Sequence, residues 1–477
     1  MGCDSELSRQ EVVESYVAPT VDQSTDLDEV LEFGSLPNAC ERYKNQPENH
    51  NAKLHCGKYQ FFYEGFNTPG VPAPLMQTYI KNLPEHIGDG FEKLGMFTDP
   101  NSEQNLPIGF GPTVPSGTVE TKAFTCASCH FGKTKQGVYT VGLPNHELEY
   151  GKLTLYLFAL TNVVTGFQQV NDYAPSVAAE LQPLVDYLDA NPARKAALID
   201  DVLTMGQELI SSGGNASLGD IPVETPSLWV RWAPGVMDFF TSPFPEDNIH
   251  IPIRIPSLWE IPREEEIRAL GLRHAMLTAA GGGDSLLSFV KGFISTSKGV
   301  LGDFSDEDLE PIVEYIYSLK HPEYQALVAN LDDASVTRGQ QQFTNQGCID
   351  CHNGKSFGGT DVFEFGQESA GSRLLGTDST LRFFSDPELD GTLCCDLPQL
   401  GNSELTQGLK APHLTGIWSH RIFLHNGSVG SLEELLCLNG QRPLPIVAEG
   451  ESNQGHEFGC GMLRSDKLDL LNYLRSL

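Results

Sequence analysis

The sequence predicts a mainly α-helical protein of two related halves, with long loops and an N-terminal extension. Three observations predict it. Residues 177–212 carry apolar side chains at a spacing near 3.6, broken at Asn191-Pro192, which reads as a helical hairpin. Ser305 with Asp308 resembles a capping box, and Leu309, Ile312, Val313 and Ile316 mark one face of a helix that His321-Pro322 ends. Short motifs also recur in order. Arg254-Ile-Pro-Ser-Leu258 and Tyr315-Ile-Tyr-Ser-Leu319 are echoed by Lys410-Ala-Pro-His-Leu414 and Tyr473-Leu-Arg-Ser-Leu477.

Along the chain, residues 1–65 are polar, with Cys40 and Cys56 close together, and read as an extension rather than a core. Residues 66–120 are rich in proline and glycine, with one helical stretch around Leu75–Leu83. Leu153–Val164 is the most apolar run, but it is too short and too polar to span a bilayer, which needs about 18 residues. Residues 213–262 are loop-like and hold Trp229, Trp232 and Trp259. Val336–Gln346 is a second helical approach.

The chain has 63 acidic and 31 basic residues, a net charge of −32. Phosphate repels such a surface, so nucleic acid and anionic membranes are not expected partners, whereas a basic protein would be attracted. Eleven cysteines disfavour a reducing cytosol unless many of them are ligands. Met1-Gly2-Cys3-Asp4-Ser5-Glu6 carries no signal-peptide core, so either the protein is cytosolic or an export segment lies outside this sequence. No Ser/His/Asp hydrolase motif is found, and Gly132-Lys133-Thr134 is not a phosphate loop, because Ala127 stands where one requires glycine.

Two motifs carry chemistry: Cys126-Ala-Ser-Cys129-His130 and Cys348-Ile-Asp-Cys351-His352. C-x-x-C-H is the attachment pattern of c-type haem. Two thiols three positions apart on a helical turn can bond both vinyl groups of one porphyrin, and the adjacent imidazole then meets the iron. Zinc would not need histidine at the next position each time, and a thioredoxin-like site wants a βαβ setting that is not found here. Two covalently bound haem c groups are the expected cofactors. Such attachment belongs on the exported side of a membrane, so the expected location is periplasmic, outer-membrane-anchored or cell-surface. Gly2-Cys3 then resembles a lipid-anchor site.

Each iron needs a sixth ligand or an open position. For the second haem His413, His420, His425 and His456 lie downstream, with His456 in the flexible Gly455-His-Glu-Phe-Gly459 loop. For the first, His146, His274 and Met276 are candidates. Of the remaining cysteines, Cys40–Cys56 is the natural local bridge. Cys437–Cys460 would hold the His456 loop, and the adjacent Cys394 and Cys395 could pair with each other or elsewhere.

The two C-x-x-C-H motifs, with Leu409-Lys-Ala-Pro-His-Leu-Thr-Gly-Ile-Trp418 and Phe423-Leu-His-Asn-Gly-Ser-Val429, resemble the bacterial dihaem cytochrome c peroxidase superfamily. Pro69-Gly-Val-Pro72, Leu106-Pro-Ile-Gly-Phe110, Ala233-Pro-Gly-Val-Met-Asp238, Pro256-Ser-Leu-Trp259 and Gly455-His-Glu-Phe-Gly459 are most similar to its rubber-oxygenase-like branch. The resemblance covers roughly residues 69–477. It implies a mainly α fold with two cytochrome-c-like haem domains. The expected division is an acidic extension at 1–65, a first haem c domain with a large insertion at 66–325, and a second haem c domain at 326–477.

The resemblance also implies roles. His130 and His352 are the proximal ligands, and His456 closes the second haem. The first haem meets a small oxidant, peroxide or dioxygen; His130, His146, His274 and Trp259 are the candidate catalytic residues. His146 lies at the offset where the peroxidase branch caps its first haem. Trp259 and Trp418 are candidate electron carriers, each weighed against an ordinary core role. Calcium is a further candidate ion. A small redox partner, such as a basic cytochrome or a cupredoxin, would exchange electrons.

Some residues depart from the family. Asn439 stands where peroxidases place methionine and the maturation enzyme of methylamine dehydrogenase places tyrosine. Arg421-Ile-Phe423 replaces Ala-Pro-Tyr, and His274-Ala-Met-Leu277 replaces the usual Trp-Asp-Gly. Peroxide reduction is the leading functional expectation. The alternatives are an oxygenase cleaving an unsaturated organic substrate, with Val236-Met-Asp-Phe-Phe240 lining its channel, and a pure electron carrier.

Overall fold

The computed structural model describes residues 21–32, 34, 38–173, 175–214, 234–238, 252–272, 277, 279, 283–296, 301–364, 368–369, 373–374, 408–440, 442 and 452–477. His274, Met276, Cys3, Cys394, Cys395, Trp229, Trp232, Phe239 and Phe240 lie outside the described residues. About half of what is described is helical, as a mainly α fold requires.

Helices α1 (Ala39–Asn45) and α2 (His50–Tyr63) come early and are joined by the Cys40–Cys56 disulfide. Asn49 caps α2 by accepting the Ala52 N–H at 3.1 Å. The sequence reading placed residues 1–65 outside the core, and α2 departs from it. Its Phe61 and Phe62 are fully buried, edge-on to Tyr315 and Phe131. His55, Lys58 and Gln60 are buried with them, so α2 carries no periodic apolar stripe to announce its burial.

Helices α3 (Ala73–Asn82), α4 (Cys126–His130), α5 (Tyr150–Val164), α6 (Pro175–Ala190) and α7 (Pro192–Ser211) follow. The α6–α7 hairpin breaks at Asn191, as the sequence predicts. Leu75, Tyr79, Leu157, Leu160, Leu181 and Leu198 build one core among α3, α5, α6 and α7. The apolar run of α5 is thus spent inside this bundle, and among the described residues no helix is long and apolar enough to cross a membrane.

Helix α8 (Asp306–Ser318) opens on the expected box: Ser305 Oγ accepts the Asp308 N–H and Asp308 Oδ2 accepts the Ser305 N–H. Helices α9 (Asp333–Asn345) and α10 (Arg464–Ser476) complete the second half around Phe343, Leu470, Leu471 and Tyr473.

One helix crossing occurs twice. Where α2 meets α8, a Cβ on Gly57 would lie 2.0 Å from Pro311 O and 2.6 Å from Tyr315 Cβ. Where α9 meets α10, a Cβ on Gly339 would lie 2.1 Å from Asp469 O and 2.7 Å from Tyr473 Cβ. Four residues after each glycine comes a phenylalanine, Phe61 or Phe343, whose ring meets that tyrosine edge-on at 5.7 or 5.5 Å. The repeated Tyr-x-x-Ser-Leu therefore marks the residue that seats on a glycine in each crossing.

The strands are short and form sheets of two or three. Phe131–Lys133 pairs antiparallel with Tyr139–Val141 directly after α4. Val236–Asp238 pairs with Pro252–Arg254 inside the segment expected to be loop. Strands this short leave too little alternation to read from sequence.

Candidate haem-binding site

In the first half, α4 carries Cys126, Cys129 and His130 on little more than one turn. The Thr125 hydroxyl anchors its start on Phe62 O at 3.1 Å. Gly109 lets a neighbouring strand approach the turn, since a Cβ there would sit 2.6 Å from Ser128 Cα. His130 Nδ1 lies 3.0 Å from Pro256 O. Donation to that carbonyl fixes the tautomer and leaves Nε2 with its lone pair for a metal. Burial lowers the His130 pKa to about 4 and pushes both thiols up to about 12, so all three groups are neutral near pH 7.

The second half repeats this device. Cys348–Asp350 is a 3₁₀ turn, and His352 Nδ1 lies 2.8 Å from Phe357 O. The carbonyl of Pro412 faces the same imidazole. Pro256 and Pro412 are the prolines of the repeated Arg/Lys-x-Pro-x-Leu motif; Pro256 gives His130 its acceptor, whereas His352 meets Phe357 O with Pro412 beside it.

Opposite His352 stands His456. Their ring centres are 6.4 Å apart and their planes 81° apart. A metal–imidazole bond is about 2.0 Å and the ring centre lies roughly 1.1 Å beyond it, so two imidazoles on one metal are separated by about 6.3 Å. His456 Nδ1 has no hydrogen-bond partner, and burial lowers this histidine to about 4.

The loop that carries His456 is heavily tied. Arg442 donates to Asn453 O (2.9 Å), Gly455 O (3.3 Å), Leu435 O (2.9 Å) and His456 O (3.1 Å). Cys437–Cys460 forms as expected, and Lys467 Nζ donates to both cysteine carbonyls. Asn426, from the Leu424-His-Asn-Gly427 run, donates to Ser452 O at 2.8 Å. His456 itself has φ of 49°, a left-handed backbone that a non-glycine residue keeps only when its surroundings hold it.

The donor set fits haem c. Cys126, Cys129, His130 and His456 are half-buried, each keeping some accessible surface. A porphyrin supplies four nitrogens of its own and asks the chain for one or two imidazoles. Among the described residues no cluster of three or more His, Cys, Asp or Glu side chains is arranged to hold a metal ion, calcium included.

The other expected residues are placed as follows. His146 is buried, both its ring nitrogens lack partners, and its ring stands 5.6 Å from that of His420. Burial, then Arg254, Arg421 and Lys135, lower His146 to about 3. His420 Nδ1 meets Arg254 at 2.6 Å, so this histidine belongs with His146 rather than opposite His352. His413 packs against Gly358, and the His425 carbonyl accepts the Arg254 N–H. Trp259 is fully buried, with Nε1 donating to Val141 O at 2.9 Å. Trp418 donates to Pro322 O at 3.0 Å. Met237 brings its sulfur 3.9 Å from Cys129 Sγ. Sequence reasoning missed Arg442, because only burial reveals its role. It named Arg254 and Lys410 only as repeat markers.

Residues 408–444 match the model of the RoxA-like, cytochrome c-like family. No curated protein matches the chain. The matched segment holds Pro412 and Arg442, and a cytochrome c-like segment implies haem c as its cofactor.

Proposed function

We propose that this protein is an exported dihaem c-type cytochrome that couples electron transfer to haem redox catalysis. The observation that carries the reading is the His352–His456 pair, two neutral imidazoles at the separation one iron requires. Haem c supplies one-electron chemistry at iron and, where an axial position is open, binding of a small oxidant. Cys348, Cys351, His352 and His456 would hold a six-coordinate haem that receives electrons. Cys126, Cys129 and His130 would hold the haem that meets the oxidant. Around that first haem, His146 and His420 can give hydrogen bonds to an oxygen that becomes negative.

Two reactions fit this arrangement. Peroxide reduction takes two electrons and two protons and yields two waters, so it consumes a reduced donor. An oxygenase places both atoms of dioxygen on the two carbons of a cleaved double bond and needs no net electrons. The RoxA-like match favours the oxygenase reading. The buried Val236 and half-buried Met237 give an apolar edge beside Cys129 for an unsaturated substrate. The net charge of −32 suits a basic cytochrome or cupredoxin as redox partner. Covalent haem attachment suits a periplasmic or cell-surface location, with Cys3 as a lipid-anchor site.

Mixing the reduced holoprotein with peroxide, and separately with dioxygen and a polyunsaturated hydrocarbon, tests the reading. Two donor electrons lost per peroxide support a peroxidase. Oxygen uptake with carbonyl products and no donor consumption supports an oxygenase. Two haems inert to both oxidants overturn catalysis and leave an electron carrier.

A further inference from the structure

Two deep cations stand at matching places in the two halves, and neither meets a carboxylate among the described residues. Arg254 begins the first Arg/Lys-x-Pro-x-Leu motif and Lys410 the second. Two residues on, each motif turns a proline carbonyl to the histidine of its own C-x-x-C-H. Lys410 therefore acts on the His352 imidazole, and Arg254 lies two residues before the proline whose carbonyl meets His130.

Their partners are neutral. Arg254 gives one nitrogen to His420 Nδ1 at 2.6 Å and to Ile422 O at 3.5 Å. Lys410 is 8 % exposed, and its ammonium forms no ion pair among the described residues. Burial alone lowers Arg254 to about 10 and Lys410 to about 8, with no acid raising either. Lys58, the fully buried lysine of α2, follows the ordinary rule: it has Asp22 at 3.4 Å and donates to Val21 O. In a chain with 63 acidic residues, two deep cations without an acid among the described residues are conspicuous. A buried charge is expensive unless an anion accompanies it.

We propose that Arg254 and Lys410 are the binding sites for the propionate carboxylates of the first and second haem. This rests on the haem reading above. Haem c brings two carboxylates to each half, and a cation against them favours the ferrous state by offsetting the negative charge that reduction adds.

The test uses holoprotein carrying Lys410→Met, Lys410→Arg or Arg254→Met. Peptide mass confirms haem on each C-x-x-C-H, and spectroelectrochemistry reads each midpoint potential. Lys410→Met should lower the potential of the second haem alone. At fixed solution potential its ferric-to-ferrous ratio should rise about tenfold, about 59 mV for one electron. Lys410→Arg should keep the wild-type value, and Arg254→Met should move the first haem alone. Unchanged potentials with both haems attached would overturn the proposal and leave the haem reading intact. Potentials that follow added phosphate in the wild type would assign the sites to a free anion and also overturn it. Wild-type protein without haem on the Cys348–Cys351 peptide would overturn the haem reading itself. Should Lys410→Met fail to accumulate, Lys410→Gln and Lys410→Arg are compared, and equal potentials refute the proposal.

Discussion

Trp259 seats its ring directly on Gly416: a Cβ on that glycine would lie 2.6 Å from Trp259 Cζ3. At the opposite edge of the ring, a Cβ on Gly142 would lie 2.6 Å from Nε1. Gly142 follows the first C-x-x-C-H and Gly416 follows the second Pro-x-Leu, so one indole joins the two halves. Gly416 also has φ of +69°. Gly416→Ala should therefore destabilise the protein by roughly 2–4 kcal/mol, from left-handed strain and overpacking together. Calorimetry checks this, and a variant as stable as wild type would show that the seam yields freely.

The twin crossings predict a matched pair of effects. Gly57→Ala and Gly339→Ala each push a methyl into backbone of the facing helix. Each should cost several kcal/mol, because Pro311 O and Asp469 O cannot move without shifting α8 or α10. If proteolysis showed that Gly339→Ala loosens the first half as much as the second, the two crossings would not be separate units.

Arg442 should matter for ligation without touching iron. Arg442→Met removes four hydrogen bonds to the backbone around His456. The optical spectrum should then show the second haem as a mixture of low-spin and high-spin forms. Arg442→Lys should restore part of the low-spin form. A fully low-spin Arg442→Met protein would mean that the disulfide and Asn426 hold the loop unaided.

His55 predicts an acid weakness. It is buried on α2, and burial, then Arg42 and Lys58, lower it from 6.5 to about 4. Its folded pKa lies below its unfolded one, so the unfolded chain binds the extra proton between those values. Stability is complete above pH 6.5 and is lost as pH falls toward 4, by about 3 kcal/mol at most. His55→Leu should flatten that part of the pH profile, and an unchanged slope would place the titration elsewhere.

Much of this architecture was legible in the sequence because the signals were local. The Asn191-Pro192 break, the Ser305–Asp308 box and the Cys40–Cys56 and Cys437–Cys460 bridges each depend on residues near one another in the chain. The repeated motifs were legible as spacing but not as roles. Pro256 and Pro412 gain meaning only when their carbonyls meet His130 and His352. Helix α2 was hidden because its burial depends on Tyr315, about 260 residues away, and because Lys58 and Gln60 interrupt its apolar face. Arg442, Arg254 and Lys410 look like surface cations until the fold closes over them.

The central claim is that His352 and His456 close one haem while His130 holds another. Electron paramagnetic resonance of the ferric holoprotein tests it most directly, in the wild type and in His456→Ala. The account predicts a low-spin bis-histidine signal from the second haem that His456→Ala converts to high-spin, while the signal of the haem on Cys126 and Cys129 stays unchanged. An identical spectrum in His456→Ala would contradict it.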